Sequence, residues 1–126
     1  MEKLKQEIYE YTITQLAELS NHSSDYLEDN DISDIHQELF NTSYYIIGTY
    51  AAKKWLGDNV FAAIDLIKEY EQDNFGEVST NFSEPERVAN MLAYVLGEEV
   101  LHKLPEDGEG HLDKEFILEE YTELSK

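Results

Sequence analysis

Apolar residues in the first twenty positions recur at three- and four-residue spacing. Leu4, Ile8, Tyr11 and Leu19, with Ile13 and Leu16 close by, predict a helix with one buried stripe. The stretch "SNHSSDYLEDND" (20–31) breaks that pattern with cap and turn residues. A second helical region begins near Asp31 or Ser33, either of which can cap it, and carries Ile35, Leu39 and Phe40. Asn41-Thr42-Ser43 is the expected interruption, followed by a buried helix, "YYIIGTYAAKKWLG", that ends at Gly57. Gly48 and Ala51-Ala52 within it predict a close helix contact.

Asp58 or Asn59 opens the next helix, with Val60, Phe61, Ile64, Leu66, Ile67 and Tyr70 as candidate core positions and Gly76 as its end. Residues 77–82, "EVSTNF", have the composition of a short strand but no partner strand. Ser83-Glu84-Pro85-Glu86 reads as a capping box, with Ser83 as N-cap and proline in the first turn. It launches "RVANMLAYVLGEEVLHKL", which Pro105 stops. Asp113 is placed to cap a last helix. The expectation is an all-α fold, a single compact acidic domain over residues 1–126 with five or six helices.

Composition supports a packed core. The 126 residues are 41% hydrophobic and include nine Tyr, five Phe and one Trp. A folded chain of this length has a radius of gyration of about 14 Å and buries about two-thirds of its unfolded surface. With no cysteine, disulfide and thiolate chemistry are excluded and a cytoplasmic setting, that of a host cell, is expected. The charged, amphipathic start lacks the apolar core of a signal peptide, and no apolar run is long enough to span a membrane.

Charge changes the picture most. Twenty-eight acids against nine bases give a net charge of −19. Such self-repulsion costs stability, and it makes direct binding to nucleic acid or anionic membrane unfavourable. A salt-adapted surface is one explanation, but bulky Ile, Leu and Tyr remain plentiful. A basic partner is the other.

Candidate chemistry is sparse. Asp107-Gly108-Glu109-Gly110 has the rhythm of a calcium loop. With Gly110 at the central glycine position, however, Pro105 replaces the first ligand and Phe116 the closing glutamate. Asp29-Asn30-Asp31-Ile32-Ser33 fails similarly, with Asp34 in place of glycine and Phe40 in place of glutamate. Glu99-x-x-His102 has the spacing of a di-metal bundle motif, but such sites need two of these motifs and two further glutamates. His36 lies near Ser33 and Asp34, which are better explained as caps; His22 and His111 fall in turns. No Gly-rich phosphate loop, HExxH or GxSxG is present. Neither a catalytic residue, a metal nor a cofactor is expected, and the chain reads as a non-enzyme.

The acids themselves are patterned. Between Gln6 and Ala52 there is no Lys or Arg, yet nine acids occur: Glu7, Glu10, Glu18, Asp25, Glu28, Asp29, Asp31, Asp34 and Glu38. From Glu98 to Glu123 ten acids face only Lys103 and Lys114. Duplex DNA carries one charge per about 1.7 Å of axis, so about fourteen acids on one side match roughly 24 Å of duplex. The plainer reading of both blocks is a solvated face of an acidic protein.

A small, helical, cysteine-free, strongly acidic chain resembles the Ocr-type phage anti-restriction proteins, and the local likeness lies in "DISDIHQELFNTSYYIIGTY" (31–50). A looser likeness over residues 32–101 is to small uncharacterised proteins of phages and mobile elements. The resemblance implies a DNA mimic that inhibits a host defence enzyme, and it implies a homodimer. No individual residue role carries over beyond acidic character, and this chain lacks a fully acidic tail. The expected partner is a basic DNA-binding protein of the host, a restriction–modification component first and a CRISPR effector second. The expected binding face comprises Asp25, Glu28, Asp29, Asp31, Asp34 and Glu38 with Glu115, Glu119, Glu120 and Glu123. The rival expectation is a phage adaptor that binds a host polymerase or regulator through an apolar helical face.

Overall fold

Helix-forming sequence between Pro85 and Lys103 places apolar residues on two adjoining faces, burying Val88, Leu92, Val95 and Leu96 as well as Ala89, Ala93 and Val100. A helix apolar over so wide an arc must be covered from several sides. In the computed structural model, which describes residues 2–22, 32–50, 52–106 and 111–126, that is its situation. The helices are α1 (Glu2–His22), α2 (Ile32–Thr49), α3 (Ala52–Phe75), α4 (Pro85–Lys103) and α5 (Lys114–Leu124). α4 packs against α2 most extensively, then α3, then α1, while α5 packs on α1. The protein is all-α; the described residues form five helices and no strand. None of these helices is long and apolar enough to cross a membrane.

The core joins Ile8, Ile13 and Leu16 of α1, Ile35, Leu39 and Ile47 of α2, Ile67 of α3, Leu92 and Leu96 of α4 and Ile117 of α5, all with at most 2% exposure. Burying each such side chain is worth about 1.5–3 kcal/mol. Helix backbones approach closely at Gly97, where a Cβ would lie 3.3 Å from the Phe40 backbone nitrogen and 3.4 Å from the Leu39 carbonyl carbon. A side chain there would require the α2 backbone to give by a few tenths of an ångström.

Several expectations are corrected. Asn41-Thr42-Ser43 does not interrupt α2; the Ser43 hydroxyl donates back to the Leu39 carbonyl at 2.8 Å, so the turn is accommodated inside the helix. The chain breaks after Thr49 instead, and α3 runs straight through Gly57. Gly57 and Gly48 have nothing within 4 Å of a built Cβ, so the close contact expected of Gly48 belongs to Gly97. Phe61, expected in the core, is 81% exposed, because the buried face of α3 carries Leu56, Ala63 and Ile67.

Residues 77–82 form no strand. Gly76 ends α3 with φ of +75°, and the buried Glu71 carboxylate accepts from the backbone N–H of Ser79 at 2.7 Å, from that of Thr80 at 3.2 Å and from the Thr80 hydroxyl. These donors are satisfied by one side chain rather than by a neighbouring strand. The expected capping box is also absent. Glu84 occupies the N-cap position without a side-chain cap and Pro85 opens the helix, while the Ser83 hydroxyl donates to Asn81 at 2.6 Å. At the other end Pro105 follows the Leu104 cap as expected, and Asp113 caps α5 by accepting from Phe116 N–H at 3.2 Å.

Candidate functional site

The two acidic blocks map onto different helices. Asp25, Glu28, Asp29 and Asp31 lie outside the described residues. Asp34 and Glu38 stand exposed on α2, one helical turn apart. On α5, Glu115, Glu119 and Glu123 are exposed and repeat every fourth residue, forming one acidic row. Glu120 faces inward instead and accepts from the Tyr9 hydroxyl of α1 at 3.3 Å. Burial first and then the Glu120 charge push the Tyr9 phenol above its ordinary pKa. Glu123 is paired with Lys126 at 3.0 Å. The late block is therefore partly engaged in internal contacts, a feature that spacing alone did not reveal.

α1 bridges the two blocks, since both α2 and α5 pack on it. Along that junction runs a groove of about 340 Å³, lined by Glu7, Glu10, Tyr11 and Thr14 of α1, Ile46 of α2 and Leu124 of α5. Positions 7, 10, 11 and 14 share one helix face by spacing, so the groove's α1 wall was readable as a face, though not its apolar sides. The Tyr11 ring stacks on the exposed Tyr45 ring at 5.7 Å. Glu7 Oε2 is buried and has no hydrogen-bond partner.

A second constellation joins α2, α3 and α4. The Glu98 carboxylate lies 3.3 Å from His102 Nε2 and 3.7 Å from His36 Nε2. The longer distance exceeds hydrogen-bond range, and His36 Nε2 is buried without a hydrogen-bond partner. The His36 ring rests on Tyr94 at 4.9 Å, and Tyr94 meets Tyr70 of α3 at 6.0 Å. Burial, then Tyr94 and Glu98, raise the Tyr70 phenol well above its ordinary pKa. His102 thus pairs with Glu98, not Glu99, whose carboxylate accepts from Lys5 of α1 at 3.3 Å. His36 faces Glu98 of α4. Beside it lies a groove of about 300 Å³ with Phe40, Met91 and Tyr94 in its walls. Among the described residues no group of three His, Asp or Glu stands in metal-binding geometry. Comparison with known proteins finds no family model, curated protein or solved structure that matches this chain.

The arrangement offers recognition chemistry: acidic helix faces, and a groove that pairs the Tyr11 ring with the Glu7 and Glu10 carboxylates. Glu7, Glu10 and Tyr11 were not singled out from the sequence as binding residues. The signal that finds them is helical spacing combined with the absence of any Lys or Arg over residues 6–52.

Proposed function

We propose that this protein is a phage- or mobile-element-encoded DNA mimic that binds the DNA-binding surface of a host defence enzyme in the host cytoplasm. A restriction–modification complex is the first target and a CRISPR effector the second. The observation that carries the reading is the density and placement of acid. A net charge of −19 on 126 residues is accompanied by carboxylates at one-turn intervals on the outer faces of α2 and α5. In such a complex the carboxylates take the positions of phosphates on the partner's basic surface. No bond is made or broken.

Competition with duplex DNA tests this. The protein is expected to displace duplex from the defence enzyme, to show no affinity for DNA itself, and to lose affinity steeply as salt rises. Asp29, Asp31 and Asp34 changed together to Lys are expected to abolish inhibition while the domain stays folded, as cap losses are about 0.5–2 kcal/mol each. Glu115, Glu119 and Glu123 changed together to Lys form the matching test of the α5 row. If both triple variants inhibit like the wild type, or binding ignores salt, the mimic reading is wrong. The adaptor reading then takes its place, favoured by the adjacent Tyr44 and Tyr45, 47% and 60% exposed on α2.

A further inference from the structure

The groove between α1, α2 and α5 combines carboxylates, an aromatic ring and apolar side chains. One wall holds Glu7 and Glu10, another the Ile46 and Leu124 side chains, and the Tyr11 ring, backed by Tyr45, forms a platform. Glu7 Oε2 is shielded from solvent and receives no hydrogen bond. Glu7 as a whole is partly exposed, but a shielded carboxylate oxygen without a donor is unfavourable and is ordinarily matched by a donor or a cation. Among the described residues, three of the nine Lys and Arg are paired with other acids: Lys5 with Glu99, Arg87 with Glu84 and Lys126 with Glu123. Lys3 lies one turn before Glu7 on the exposed side of α1, but among the described residues neither Glu7 nor Glu10 is in an ion pair.

The groove's size and chemistry narrow the occupant. At about 340 Å³ it sits at the lower limit for small-molecule pockets, which span roughly 300–1,000 Å³, and suits one extended side chain. A carboxylate pair selects a cation. The aromatic platform selects a flat, weakly hydrated one over an ammonium, and the apolar walls suit an alkyl stem. We propose that this groove receives a single arginine side chain of the protein partner, with its guanidinium stacked on Tyr11 and hydrogen-bonded to Glu7 and Glu10. The identity of that partner as a DNA-binding protein rests on the proposed function above; the receptor itself does not. Arginine is the residue with which basic surfaces contact phosphate bidentately. An arginine seated here is anchored between the two acidic helices.

NMR titration of the whole protein with N-acetyl-arginine amide tests the groove without any partner. Saturable shifts are expected at Tyr11, Thr14 and Ile46, at least about tenfold weaker with the uncharged citrulline analogue. The same shifts are expected to be lost in Glu7→Gln and weakened in Tyr11→Leu. Glu7→Gln is expected to melt close to the wild-type temperature, because among the described residues Glu7 is in no ion pair; this separates lost binding from lost folding. Equal response to arginine and citrulline, shifts that map elsewhere, or an unaltered response in Glu7→Gln would overturn the proposal and leave the DNA-mimic reading standing. So would shifts at these residues produced by calcium chloride but not by the arginine compound. Conversely, saturable arginine binding together with full inhibition by both triple-Lys variants retains the receptor and removes the mimic.

Discussion

Glu71 illustrates how much one side chain can organise. Desolvation by burial alone would raise its pKa, but donors from Ser79 and Thr80 outweigh that and hold the carboxyl below its ordinary value. A depressed folded-state pKa adds stability that is present above the ordinary carboxylate range and is lost as pH falls through the folded value. Glu71→Gln presents an amide where three donors converge and is expected to cost about 1–3 kcal/mol near neutrality. Urea unfolding of wild type and variant at pH 7 and again near pH 3 checks this; the gap should narrow as the medium becomes acid. Phe61 gives the contrary case. Its 81% exposure predicts that Phe61→Ser changes stability by no more than about 0.5 kcal/mol, whereas its hydrophobicity alone suggested a core residue.

Between helices, glycines with the same sequence appearance have opposite roles. At Gly97 a methyl group would press on the Leu39–Phe40 backbone. Gly97→Ala is therefore expected to destabilise by about 1–3 kcal/mol, as overpacking does. Gly57→Ala, in the interior of α3 with open space around it, is expected to stabilise by about 0.4–1 kcal/mol. Thermal or urea melts of the two variants should move in opposite directions. This contrast also explains what could be read from the chain. The stripe of Leu4, Ile8, Ile13 and Leu16, the stop at Pro105 and the cap at Asp113 are local signals, and they were legible. The break after Thr49, the passage of α3 through Gly57 and the inward turn of Glu120 depend on partners far along the chain, which no local pattern contains. For the binding surface, acid content was legible, but the internal engagement of Glu120 and Glu123 and the groove above Glu7 were not.

At the scale of the whole molecule, a net charge of −19 opposes folding by self-repulsion. Raising ionic strength shortens the Debye length from about 30 Å at 0.01 M to about 10 Å at 0.1 M. The melting temperature is accordingly expected to climb with sodium chloride over that range, as repulsion among 28 acids is screened. Scanning calorimetry across a salt series measures it. A maximum at the lowest salt would mean that the carboxylates are held chiefly by ion pairs such as Lys5–Glu99. Chelator is expected to leave helicity and melting temperature unchanged, and calcium in the micromolar range should produce no saturable transition by circular dichroism.

The packing of α5 on α1 has a consequence in time. The hydrogen bond from Tyr9 to Glu120 closes a separation of 111 residues, whereas the α2–α4 contact closes much shorter loops. Distant contacts require the larger loop-closure entropy, so α2 and α4 are positioned to meet first and the α1–α5 seam to form late. Tyr9→Phe should then accelerate unfolding while leaving the folding rate nearly unchanged, the behaviour of a contact made after the transition state. A chain emerging from the ribosome would carry the Tyr9 face of α1 incompletely covered until α5 had been synthesised.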